Sequence, residues 1–466
     1  MIRKLLQQPN NKFWFVFHLA LGALSTLSVI PFIAWFYLVL FSSLIVIQSV
    51  NQHERNQIII GLMAYLGSLE LLARMCKTSP YIPYEISKYL FALLLLIGIF
   101  NHKSIKSVGW LMLLLLLPAM LYDYSGQVFG YEPLIFNLMG PVNVALAVVY
   151  FTHVSLTKPE FTSHLRLIFY SIISALVFTL IVTPDFDEID FMLGANFETS
   201  GGFGSNQVST AFGVGIFIMY IAWLEKWKFS GSVLLDILLL FAFAFQGILT
   251  FSRGGIIGGV LGIIVFIFIS LRNRSKEKSR LSKVLMYSLA AVVLGVLVFN
   301  YADKITGGMI TLRYQGETAG TVAGTKENTL NNFTANRYDI FIGDMELWAE
   351  YPLLGVGAGS SRYMRSKVEG IVAHIELSRL VAEHGILGLI FFLLLIKQGI
   401  NLFKRKTIAF TSVNIIKISF FVIAIFTSFH AAMRTFITPL LIGISLVNIS
   451  EEKINNLILR KNGQTS

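Results

Sequence analysis

Residues 251–283 read FSRGGIIGGVLGIIVFIFISLRNRSKEKSRLSK. From Gly255 to Leu271 this stretch carries no charge, and a dense basic cluster follows it at once. A run so long and so apolar is a membrane-spanning helix, because in lipid a helix satisfies its own backbone polar groups. The basic cluster marks the cytoplasmic end, since Lys and Arg gather on that side of the bilayer. The opposite end, at Ser252–Gly255, then faces the outer side.

The same pattern recurs outward in both directions. Apolar runs lie near 13–30, 32–50, 57–74, 87–100, 107–123, 134–151, 166–183, 207–224, 233–250, 255–271, 284–300, 379–396, 411–428 and 431–449. Pro141 and Pro439 interrupt two of them. Of the 466 residues 55% are hydrophobic and only 14% charged, too few charges to wrap a core of this size in water. Continuous apolar runs exclude a barrel, whose strands would be short and alternating. The expected fold is therefore an all-α integral membrane protein of about 12–14 transmembrane helices with one large periplasmic loop.

The net charge of +11 does not point to nucleic acid, because the basic residues sit mainly in short connections between apolar runs. The lone Cys76 excludes an internal disulfide framework and a cysteine metal cluster. The first apolar run, Phe13 to Ile30, lacks a small-residue cleavage site and reads as a span. With the N-terminus inside, most of the 37 basic residues fall on the cytoplasmic side, including those of 272–283 and 397–407. Four features then face outward: the acidic loop 184–206, the turn Phe251–Gly254, a loop over 302–378, and the turn near His430–Arg434. The expected division is an N-terminal bundle over 1–301, a periplasmic subdomain over 302–378, and C-terminal spans with a cytoplasmic tail over 379–466. A connection of that length exceeds what joining two helices requires.

Three outward-facing stretches could carry chemistry. In SRGG, two glycines leave the Arg253 guanidinium unobstructed, which suits a phosphate; the plain alternative is an arginine snorkelling to the interface. In NRYDIFIGDMELWAEYPLLGVGAGSS, residues 336–361, helical spacing over 337–350 puts Arg337, Asp344 and Trp348 on adjacent faces, and Pro352 ends the helix. A helix stop and flexible loop is the bland reading of the same residues. In HIELSRLVAEHGILG, residues 374–388, His374 could move a proton near neutral pH, with Glu376 and Glu383 as orienting or structural partners. A structural interfacial histidine is its alternative. Arg313, His430, Arg434, Asn206 and Gln207 are further polar candidates, and Glu70 is expected to pair with Arg74 one turn away. No Asp-x-Asp motif or His/Cys cluster suggests a metal.

Taken in order, these pieces resemble the bacterial O-antigen ligase and O-antigen polymerase superfamily. The resemblance rests on GSNQ (204–207) opening a span, SRGG closing an outer turn, and Arg337, Trp348 and PLLGVG (352–357) in a long loop. It continues with His374 followed eleven residues later by Gly385. Ile375 departs from the pattern, which usually has an amide or hydroxyl residue after the histidine, and this bears on a ligase-specific assignment. The motifs span about 200–390; the earlier spans match in hydropathy alone.

The resemblance implies a fold like that of C-type membrane glycosyltransferases, with neither nucleotide nor metal and no other cofactor. It implies transfer of a glycan from a polyprenyl-diphosphate donor to an acceptor hydroxyl on the periplasmic face of the inner membrane. Membrane lipids surround the protein, and the acceptor is a glycan, a lipid or a protein. His374, Arg337 and Arg253 become the catalytic candidates. Arg313, Asp344, Trp348, Glu376 and Glu383 become candidates for binding substrate. Polymerase and ligase remain open, and a transporter or flippase of the same lipid-linked glycan is the alternative from another class.

Overall fold

A computed structural model describes residues 11–47, 51–83, 85–102, 106–272, 278–327, 329–404, 411–430, 433 and 437–450. Arg434, the basic residues of 273–277 and 405–407, and the tail beyond Ser450 lie outside the described residues.

The first helices are α1 (Asn11–Leu24), α2 (Val29–Ile47), α3 (Gln52–Met75), α4 (Ile86–Phe100), α5 (Val108–Leu116), α6 (Tyr131–Phe151) and α7 (Lys158–Val182). Then come α8 (Ser205–Glu225), α9 (Val233–Leu249), α10 (Arg253–Arg272) and α11 (Lys278–Ile305). A run of shorter helices follows: α12 (Met309–Gln315), α13 (Ala319–Val322), α14 (Leu330–Phe333), α15 (Arg337–Glu350) and α16 (Ser361–Met364). The chain returns through α17 (Glu376–Lys404), α18 (Ser412–Ser428) and α19 (Ile437–Leu446). Each of the fourteen expected spans has a helix at its place. Among the described residues, seven helices are long and apolar enough to cross a membrane, and seven are shorter apolar ones. The protein is thus an all-α, multi-pass membrane protein. Pro141 is carried inside α6 without ending it.

Packing is closest between α8 and α10, where glycines face one another. A Cβ on Gly213 would lie 2.0 Å from the Gly255 carbonyl oxygen, and one on Gly259 would lie 2.2 Å from that of Gly213. Between helices in lipid, apolar burial drives little, so association depends on this kind of close backbone approach. Gly255 and Gly259 of SRGGIIGG serve that seam, while Gly254 lies against His430 and Gly258 against Thr427. At the other extreme, α11 exposes Leu285, Leu289, Val292 and Val296, an apolar face suited to lipid.

Contacts between connections sort the two ends of the bundle. At one end, His53 lies 2.9 Å from Glu160, which also completes a capping box with Thr157. There Ser412 donates to Glu225 at 2.6 Å and Asn448 to the Thr152 carbonyl at 2.9 Å. A two-residue parallel pair, β1 (Ser155–Leu156) with β2 (Asn448–Ile449), closes that end. At the opposite end meet the segment before α8, the α9–α10 turn, the residues between α11 and α17, and the turn after α18. This is the alternation expected of a bundle whose successive helices run in opposite directions.

Candidate functional site

The second end owes its shape to backbone locks. The α9–α10 turn passes through Phe251 in a left-handed conformation (φ 56°), unusual for an aromatic residue, with its ring stacked on Phe191 at 5.8 Å. That turn puts Arg253 at the start of α10, its guanidinium 5.1 Å over the Phe333 ring and donating to the Phe333 carbonyl. From α12, Arg313 donates to the Phe251 carbonyl at 3.3 Å and the Leu193 carbonyl at 3.0 Å. Arg337 opens α15, preceded by Ala335 and Asn336 with positive φ.

These three arginines feel one another. Burial first, then the charges of Arg253 and Arg337, push the Arg313 guanidinium down to about 10. Burial and the charge of Arg253 do the same to Arg337, also to about 10. Among the described residues no carboxylate pairs with Arg253, Arg313 or Arg337, and the Arg337 Nε is buried with no hydrogen-bond partner. Like charges held together without a counterion form a site prepared for an anion, and planar guanidinium forks match phosphate oxygens.

Beneath them lies a hydroxyl–imidazole chain. Ser252 Oγ donates to Asn206 Oδ1 at 2.8 Å, meets Ser209 Oγ at 3.0 Å, and lies 3.1 Å from His430 Nε2. His430 is 5% exposed, and its ring occupies the space a side chain at Gly254 would need. Burial, then the charges of Arg337, His374 and Arg253, push its imidazole down to about 3. His374, half-buried before α17, therefore shares this neighbourhood.

The remaining candidates sit elsewhere. Asp344 is 0% exposed and takes Arg365 Nε at 2.7 Å and the Ser378 hydroxyl at 2.6 Å. Glu383 takes Arg379 at 2.9 Å and Ser361 at 2.9 Å. Glu376 pairs with Arg379 and accepts the Met433 N–H at 3.0 Å. These three carboxylates are buried and committed to protein partners, so they brace the loop against α17 and the α18–α19 turn. Trp348 is half-buried, and its indole donates to the Pro352 carbonyl at 3.3 Å. Glu70 pairs with Arg74 at 2.5 Å, as its spacing indicates.

The glycine motifs form a lock. Gly385 has non-helical angles (φ 61°, ψ −141°) and kinks α17. The kink leaves carbonyls that accept loop amides: Val356 N–H donates to Ala382 O at 2.9 Å and Gly357 N–H to Glu383 O at 3.1 Å. In return Ile386 N–H donates to Pro352 O at 2.8 Å. Gly355, Gly357 and Gly359 all have positive φ.

The sequence signals for His430, Ser252 and Ser209 were weak, a lone histidine in a short turn and two ordinary serines. Arg379 was legible, standing three residues after Glu376 and four before Glu383.

Fold and site together define a multi-pass membrane protein with an unneutralised arginine cluster at one end of its bundle. Residues 237–393 match the Wzy_C family model, described as O-antigen ligase, and the match supports the O-antigen ligase superfamily. The segment contains Arg253, Arg313, Arg337 and His374, while His430 lies beyond it. No curated protein matches the chain. The family points to a membrane glycosyltransferase-like role in O-antigen assembly.

Proposed function

We propose that the chain transfers a glycan from a polyprenyl-diphosphate donor to an acceptor hydroxyl at the periplasmic face of the inner membrane. The observation that carries this reading is the convergence of Arg253, Arg313 and Arg337, three guanidiniums that no carboxylate pairs with among the described residues. The donor's diphosphate supplies the missing negative charge. As the bond from the anomeric carbon to the diphosphate oxygen breaks, the leaving group gains charge, and fixed guanidiniums stabilise that change without reorganising. The acceptor oxygen bonds to the anomeric carbon and its proton passes to His374, which later loses it to water. The polyprenyl diphosphate departs with the electrons of the broken bond. Residues 302–378 act as a loop subdomain over the site, between the bundle 1–301 and the helices of 379–466. Asp344, Glu376 and Glu383 hold that loop in place, and Trp348 lies at its rim.

The test is glycan display in a strain lacking the gene, complemented with wild type, Arg253→Ala, Arg337→Ala or His374→Ala at matched membrane levels. The expected result is loss of the surface ladder in each variant, with lipid-linked glycan accumulating. Accumulated single repeat units assign a polymerase, and accumulated full-length chains a ligase. Full complementation by all three variants would move a lipid-linked glycan transporter to the front.

A further inference from the structure

Arg253 and Arg313 are held by very different partners. Arg313 donates to the carbonyls of Leu193 and Phe251, and Phe251 is itself buried in the α9–α10 turn. Arg253 donates to the carbonyl of Phe333 and lies 5.1 Å from the centre of that residue's ring. Phe333 ends α14, a single turn that buries none of its residues. The ring is 50% exposed and rests against Gly316, where a Cβ would lie 2.6 Å from it.

What keeps α14 in place is local. Asn331 donates to Asp339 Oδ2 at 2.6 Å and accepts the Asp339 N–H at 3.2 Å, which ties α14 to the first turn of α15. Asn332 donates to the Glu327 carbonyl and Thr334 to the Leu330 carbonyl, each at 2.8 Å. Between Phe333 and Arg337 the exposed pair Ala335 and Asn336 takes left-handed angles, φ 53° and 64°. Alanine rarely adopts that conformation, so the joint is strained and gains by leaving it.

The Phe333 carbonyl brings one oxygen and a dipole to the Arg253 guanidinium. A phosphate brings two oxygens and a full negative charge to the same fork. We propose that α14 is a cap on the donor site: Phe333 occupies Arg253 until the donor's diphosphate displaces it, and α14 swings away about Ala335–Asn336. This deepens the glycan-transfer reading and rests on it. The displacement belongs to binding, so the guanidinium is free and in place before the bond to the leaving group breaks. Because swinging α14 away also parts Asn331 from Asp339, that pair sets how readily the donor enters.

The test uses the purified full-length protein and inorganic pyrophosphate. Amide exchange over 329–338 is measured with and without the anion, and affinity by titration. The expected result is faster exchange over 330–336 when pyrophosphate is bound, the reverse of the protection that a loop closing on its ligand would show. Asn331→Ala leaves Arg253 and Phe333 intact and should show the faster exchange without any ligand. It and Phe333→Ala should each bind pyrophosphate about two- to fivefold more tightly than wild type, the factor that one exposed cation–π contact is worth. Slower or unchanged exchange on binding overturns the cap. So do two variants that bind no more tightly than wild type, since Phe333 would then not compete with the anion. A wild-type protein that binds no pyrophosphate overturns the donor-site reading of the arginines, and this inference with it.

Discussion

Arg365 and Arg337 are both partly or wholly removed from water, yet the structure treats them in opposite ways. Arg365 is 2% exposed and neutralised by Asp344, itself 0% exposed. Asp344→Ala would leave that guanidinium buried without a counterion, at a cost of about 3–5 kcal/mol. We expect a clear fall in melting temperature in detergent and little protein in the membrane. Arg337 instead feels the charges of Arg253 and Arg313 and has no carboxylate partner among the described residues, a crowding that costs stability in the unliganded protein. Arg337→Ala should melt no lower than wild type, and even somewhat higher, while transfer falls by about 10²–10³-fold. An Arg337→Ala protein that melts well below wild type would mean the residue is a strut.

At the scale of the element, two glycine devices matter most. Gly385 holds φ 61° and ψ −141°, a region that side chains avoid, and a Cβ there would lie 2.5 Å from Leu353. Gly385→Ala should cost about 1–3 kcal/mol in strain alone and loosen the 352–357 loop, seen as faster amide exchange at Val356 and Gly357. In the α8–α10 seam, Gly213→Val would force the helices apart, with about 1–3 kcal/mol lost and a lower melting temperature. The helices themselves were legible, because fourteen hydropathy runs suffice to place them and Pro352 marks where α15 stops. The lock was not. Nothing in PLLGVG says that its amides will find carbonyls released by a kink thirty residues on. Nor does Phe251 announce a left-handed turn, since aromatic residues almost never take one. Asp344 looked like a ligand contact because its partner, Arg365, stands 21 residues away. For the site, the arginines were visible as charges in an apolar chain. The relay through Ser252 and Asn206 to His430 depends on spans far apart in sequence, and only packing brings it together.

For the molecule as a whole, the arginine cluster couples stability to anions and to pH. Inorganic pyrophosphate should stabilise the fold by about 2.7 kcal/mol at a hundred times its Kd, read as a higher melting temperature, and Arg253→Ala should abolish the effect. The His430 imidazole ionises at about 3 in the folded protein against 6.5 ordinarily, held down by burial, Arg337, His374 and Arg253. Its folded value is lowered, so as pH falls the unfolded chain takes up the proton first. The stability it contributes is therefore complete above 6.5 and drains away between about 6.5 and 3. Wild type should lose more stability than His430→Asn when taken from pH 7.5 to pH 5 in thermal melts. Equal losses would show that His430 is protonated as readily in the folded state as in the unfolded one.

The hydroxyl chain from Asn206 to His430 has a consequence for how the protein is made. Asn206, Ser209 and Ser252 leave the ribosome long before His430, which follows Ser252 by 178 residues. Arg253, Arg313 and Arg337 are all made within that interval, before the imidazole that closes on Ser252. The contact between Ser252 and His430 is thus a late one, formed only after all three arginines have been synthesised.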